Sequence, residues 1–98
     1  MTKPPQKRVS QQFLNDRYDA DGWENRLASY TRVEIYNKPT PLKCGEPRGT
    51  HTIGYEYIDA ESKLIAVIFH YERPDRSLGA SGRRCPKGLL IDDEWCYV

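Results

Sequence analysis

HTIGYEYI (residues 51–58), DAES (59–62) and KLIAVIFHY (63–71) run consecutively through the middle of the chain and decide its fold. In the first segment Ile53, Tyr55 and Tyr57 alternate with small or polar residues, the period-two pattern of a strand with one buried side. The third segment is apolar almost throughout, as expected of a strand covered on both faces. The four residues Asp59 to Ser62 make a natural turn. An antiparallel hairpin is therefore expected, with residues 63–71 at the centre of a sheet.

Beyond the hairpin, Leu89–Ile91 and Trp95–Val98 flank Asp92, Asp93 and Glu94, which reads as a last short hairpin with an acidic, solvated turn. Before it, RVEIY (32–36) alternates and is rich in β-formers. Asn37 to Gly49 then holds three prolines and two glycines, a long loop of the kind that is either functional or mobile. Nearer the N-terminus, Ser10 is placed to cap a short helix carrying Phe13 and Leu14, which Asp19, Ala20, Asp21 and Gly22 interrupt. A second helix is expected from there. Asp21 and Glu24 have capping-box spacing, and Trp23, Leu27 and Tyr30 fall on one helical face, with Trp23 as a core anchor rather than a ligand-stacking ring.

These elements describe an α+β fold, one or two N-terminal helices packed on an antiparallel sheet of four or five strands. Ninety-eight residues suffice for one core and not for two. Residues 1–9, with two prolines and a local charge of +3, read as a flexible basic tail, and 10–98 as a single domain. The net charge of +1 excludes strong whole-molecule steering toward nucleic acid or anionic lipid, so any electrostatic function must come from a local patch. No apolar run is long enough to span a bilayer and the N-terminus lacks the pattern of a signal peptide, so the cytoplasm is the expected compartment and no membrane partner is expected. Cys44, Cys85 and Cys96 have neither disulfide-framework nor zinc-motif spacing and read as free thiols; neither a metal nor a cofactor is expected.

Arg73 to Gly88, RPDRSLGASGRRCPKG, holds five basic residues, one acid, three glycines and two serines. Small residues free backbone N–H groups to turn toward an anion, and clustered guanidinium groups grip phosphate or carboxylate. Arg73, Arg76, Arg83, Arg84 and Lys87 are therefore the candidate anion-binding residues, although the segment matches no phosphate-binding motif and the competing reading is a solvated connection. Lys3, Lys7 and Arg8 add to the same field, and Tyr55, Tyr57 and Tyr71 offer stacking faces unless they fill cross-strand pairs. His70, just before the basic loop, has the chemistry of a general acid or base beside Tyr71 and Arg73, with His51 expected at the far end of the neighbouring strand. A core histidine satisfied by a hydrogen bond is the competing account. No catalytic set is fixed by spacing.

The order of helices, sheet and basic loop is similar to that of many unrelated small folds, compact bacterial endoribonuclease toxins among them, an analogy of architecture alone. The leading expectation is a non-enzymatic binding module whose basic loop meets an anionic partner, either nucleic acid or an acidic protein surface. A protein adaptor or assembly subunit, and a small metal-independent endoribonuclease using His70, are the alternatives.

Overall fold

The computed structural model describes residues 3–41, 43, 45–79 and 82–98. The chain forms strand β1 (Gln6–Arg8), helix α1 (Gln11–Ala20), a single helical turn α2 (Trp23–Arg26) continued by a 3₁₀ turn (Leu27–Ser29), and strands β2 (Thr31–Pro39), β3 (His51–Ile58), β4 (Leu64–Glu72), β5 (Cys85–Ile91) and β6 (Glu94–Tyr97). All six strands lie in one sheet of order β1-β6-β5-β4-β3-β2, antiparallel except for β1 against β6. The expected hairpin is β3–β4, and β4 lies inside the sheet.

The sheet has one more strand than four or five. Gln6, Lys7 and Arg8 lie inside the stretch that reads as a tail, yet they pair with Trp95, Cys96 and Tyr97. Backbone groups anchor them, the Val9 N–H to the Tyr97 carbonyl (2.8 Å) and the Trp95 N–H to the Pro5 carbonyl (2.8 Å). Three exposed polar residues leave no apolar alternation to read. At its other end the basic segment gives up Cys85, Pro86 and Lys87 to β5, so the loop proper ends at residue 84. Pro86 is tolerated there because the ladder shifts register between Val67 and Ile68, the position at which a missing N–H does least harm.

The helical region also differs from the expectation. Ser10 caps α1 as the sequence indicates, its hydroxyl accepting from the Phe13 N–H at 3.0 Å. Asp21 does not cap α2; it pairs with Arg17 at 3.0 Å, and Gly22 takes the left-handed N-cap conformation (φ 66°) that breaks the chain between the two helices. What reads as one helix through Trp23, Leu27 and Tyr30 is therefore a turn of α-helix followed by a turn of 3₁₀ helix. Trp23 is nevertheless the core anchor, fully buried, with the Arg26 guanidinium 3.9 Å from its ring centroid.

Ladder register assigns the strand side chains to two faces. Ile53, Tyr55 and Tyr57 of β3 stand opposite His70, Ile68 and Ala66 of β4, and Ala66 in turn opposes Leu89, which opposes Cys96. These residues are all buried, and with Leu14, Tyr18, Trp23 and Leu27 they form one continuous cluster beneath the helices. The other face, carrying Tyr36, Val67, Phe69, Tyr71, Trp95 and Tyr97, is half-buried to exposed. A two-layer α+β domain thus covers one side of its sheet and leaves an aromatic side open. No helix of the described residues is long and apolar enough to cross a membrane.

Candidate functional site

Four of the five candidate cations are engaged by other parts of the chain. Arg73 Nε lies 2.8 Å from Glu46, whose carboxylate is buried, and this pair ties the loop after β4 to the loop between β2 and β3. The Glu46 hydrogen bond holds the Arg73 guanidinium above its ordinary pKa. Arg83 pairs with Asp19 at the end of α1. Arg84 pairs with Glu24 on α2, which also accepts from the Tyr18 hydroxyl. Lys87 Nζ reaches the amide oxygen of Gln11 at 3.0 Å. Arg76, in a left-handed turn (φ 70°), has neither an ion pair nor a hydrogen bond from its side chain among the described residues. The positive loop is thus largely a clasp that holds the strand ends to the helices, and its field is locally offset. Ala80 and Ser81, the middle of its GASG run, lie outside the described residues, as do Cys44 and the first two residues of the tail.

The sheet tyrosines divide by face. Tyr55 and Tyr57 are buried under the helices and unavailable for stacking; burial pushes the Tyr57 phenol up, as it does Tyr18. Arg32 lies over the Tyr55 ring, 4.2 Å from its centroid, and His70 stacks on the same ring at 5.7 Å. Tyr71 belongs to the open face.

The histidines are closer than the sequence implies. In an antiparallel hairpin the first residue of one strand meets the last of its partner, so His51 opposes Glu72, and His70 is two residues from Glu72 on the same face. His70 Nε2 lies 3.7 Å from the Glu72 carboxylate, and His51 Nδ1 bonds the Asn37 side chain at 2.7 Å. His70 is nearly inaccessible, and its Nδ1 is buried without a hydrogen-bond partner among the described residues. Among the described residues no group of His, Cys, Asp and Glu is arranged to hold a metal. Cys85 and Cys96 are free, and burial raises the Cys96 thiol.

A groove of about 320 Å³ lies where β5 parts from β4. It is lined by Thr52, Phe69, His70, Tyr71, Cys85 and Lys87 from the strands and by Gly79 and Arg83 from the loop. The fork exists because β4 runs on past its last β5 partner, Phe69, to Glu72, where the loop takes over through a bridge to Leu78.

Phe69 is the centre of this surface. The far end of its ring lies over Gly54 on the neighbouring strand, and the ring meets Tyr36 at a tilt, centroids 5.7 Å apart. Trp95 covers Gly88 in the same way. Lys38 sits 5.5 Å from the Tyr36 ring at one edge of this face, and Arg8 stands beside Tyr97 at the other. Neither known families, curated proteins nor solved structures contain a match to this chain. The chemistry of its surface therefore has to speak alone. Phe69 and Lys38 are absent from the residues that sequence reading singles out. The usable signal was Gly54, a glycine inside a strand pattern, since such a glycine marks a place where a neighbouring group lies close.

Proposed function

We propose that this protein is a non-catalytic module that binds single-stranded nucleic acid on the open face of its sheet. Bases stack on Phe69 and Tyr71 while Lys87 and Arg83 take adjacent phosphates. The observation that carries this reading is the groove itself, whose lining joins Phe69 and Tyr71 to Arg83 and Lys87, two cations that a phosphate would have to draw away from Asp19 and Gln11 of α1. Single strands expose both a backbone charge and a π-face at every residue, and a platform of rings with cations close by suits both. The arrangement also explains how a chain of net charge +1 can recognise a polyanion, since stacking supplies affinity that the offset loop charges do not.

The test is fluorescence anisotropy with labelled oligo(U) and oligo(dT) at low and moderate salt. Affinity is expected to fall as salt rises. Phe69→Leu, which keeps an apolar side chain over Gly54, is expected to lose roughly 1–3 kcal/mol, or about five- to 150-fold in affinity. Lys87→Ala is expected to weaken all sequences alike and to lower the salt slope by about one. Absence of binding at low salt, or binding that Phe69→Leu leaves intact, would refute the reading.

A second reading, a metal-independent nuclease, draws on His51, Glu72 and His70 sharing one end of the β3–β4 ladder. It requires cleavage of RNA that His51→Ala abolishes while binding persists. The burial of His70 weighs against it.

A further inference from the structure

The two edges of the sheet are built differently. At one edge β1 is three residues long, polar, preceded by Pro4 and Pro5, and carries Lys7 and Arg8, all features that discourage a further strand from adding. At the other, β2 is nine residues long, and every one of them is exposed. Among the described residues the exposed large hydrophobic side chains are Val33, Ile35, Tyr36 and Val98, so three of the four stand together on this edge strand. Such an edge is a template for another strand.

We propose that β2 pairs antiparallel with β2 of a second copy of this chain, across a two-fold axis lying between Glu34 and Ile35. The register follows from the irregularity at Glu34/Tyr36. Val33 opposes Glu56 and Tyr36 opposes Gly54, and because those two partners are two apart on β3, Val33 and Tyr36 share the open face despite being three apart in sequence. Arg32 and Asn37, opposite Tyr57 and Ile53, likewise share the helix face. Residues that oppose each other across an antiparallel pair must share a face.

Only an arrangement that offsets the two copies about Glu34/Ile35 sets Val33 against the partner's Tyr36 and Arg32 against the partner's Asn37 at once. A shift by two residues in one direction sets Val33 against the partner's Lys38, and in the other sets Arg32 against the partner's Ile35. In the favoured register Thr31 opposes the partner's Lys38, so no like charges meet. The aromatic–aliphatic pair occurs twice, and a net charge of +1 per copy gives little long-range repulsion. A single strand from each copy buries less than a standard stable interface, so the dimer dissociates in the micromolar range rather than below it. It forms a continuous sheet from the two six-stranded ones and leaves the groove at the β4–β5 fork untouched.

Sedimentation velocity of the full chain across a concentration series tests this. The expected result is a reversible shift from 11.4 kDa to twice that mass. Val33→Lys removes the aliphatic half of each Val33–Tyr36 pair and sets an ammonium diagonal to the partner's Lys38 in both halves, and is expected to raise the dissociation constant at least tenfold, with the circular dichroism and melting temperature of the monomer unchanged because Val33 is already exposed. Tyr36→Lys is the second variant, and Lys7→Val, at the guarded edge, the control expected to leave the equilibrium alone. A wild-type chain that stays monomeric at the highest concentration reached, or a dimer that survives both β2 substitutions, overturns the proposal. Loss of the dimer with nucleic-acid binding retained, or the reverse, separates this inference from the function proposed above.

Discussion

Replacing Gly54 with alanine sets two effects of opposite sign against each other. A glycine in a strand interior costs roughly 0.5–1 kcal/mol relative to alanine through backbone entropy, so on that ground the substitution stabilises. The space is already occupied, however. A Cβ at Gly54 would lie 2.5–2.8 Å from three carbons of the Phe69 ring. Ordinary carbon–carbon contact needs about 3.5–4.0 Å, so the ring has to lift by about 1 Å, losing part of its contact with β3 and with Tyr36. Overpacking of this kind costs about 1–3 kcal/mol. The difference leaves Gly54→Ala about 0–2.5 kcal/mol less stable than wild type, with a central value of about 1 kcal/mol, a fall of roughly 4–8 °C in melting temperature for a domain of this size. Thermal and urea unfolding followed by circular dichroism measure it. A raised melting temperature would show that Phe69 does not rest on this glycine, and would remove the fixed ring on which base stacking is built.

Asp19→Asn removes the carboxylate that holds Arg83; because the pair is exposed it should cost under about 1 kcal/mol of stability, while the released guanidinium tightens oligonucleotide binding at low salt, and weakened binding would count against Arg83 as a phosphate ligand. Tyr18 and Tyr57 titrate above 10.0 when folded and near it when unfolded, so the stability they contribute is fully present below that pH and is lost as pH rises through the folded values. Melting temperature should therefore decline above pH 10, together with the appearance of tyrosinate absorbance; a flat profile there would contradict the burial of both phenols. Half-buried Cys85 should be alkylated well before buried Cys96 in the native protein, as read by peptide mass mapping, and equal rates would mean that the helix face opens.

The parts of the fold that depend on side-chain pattern were legible in the sequence. Ile53, Tyr55 and Tyr57 alternate because one side of β3 is buried, and β4 is apolar throughout because it lies inside the sheet. Ser10 announces α1 through the chemistry of its hydroxyl. What escaped depends on contacts between distant segments. β1 is held by backbone hydrogen bonds to β6, and three polar side chains carry no trace of them. The break at Gly22 was legible, since Asp19 to Gly22 read as an interruption, but Asp21 turns back to Arg17 instead of capping the Trp23 turn, and that turn passes into a 3₁₀ turn rather than continuing as one helix.

The candidate site divides along the same line. Clustered arginines were visible as composition, but their partners Asp19, Glu24 and Glu46 are between 27 and 64 positions away, so the offsetting of the loop charge was not. The two histidines were placed apart although the antiparallel hairpin expected from the sequence already sets the start of its first strand, His51, against the end of its second, beside His70.

The pairing of β1 with β6 also bears on how the chain is made. Gln6 emerges from the ribosome early and meets Trp95 only when almost all of the described length has followed it. Until then the β3–β4 hairpin, whose contacts are local, has time to form, whereas the sheet stays unsealed at its β5 side. Closure by β1 is a late event of high contact order, and a chain halted before Glu94 leaves the Gln6–Arg8 segment with nothing to join. Chains of this protein are therefore at greatest risk of sticking to one another while β6 is not yet in place, when the β3–β4 hairpin has formed and the outermost ladder is still missing.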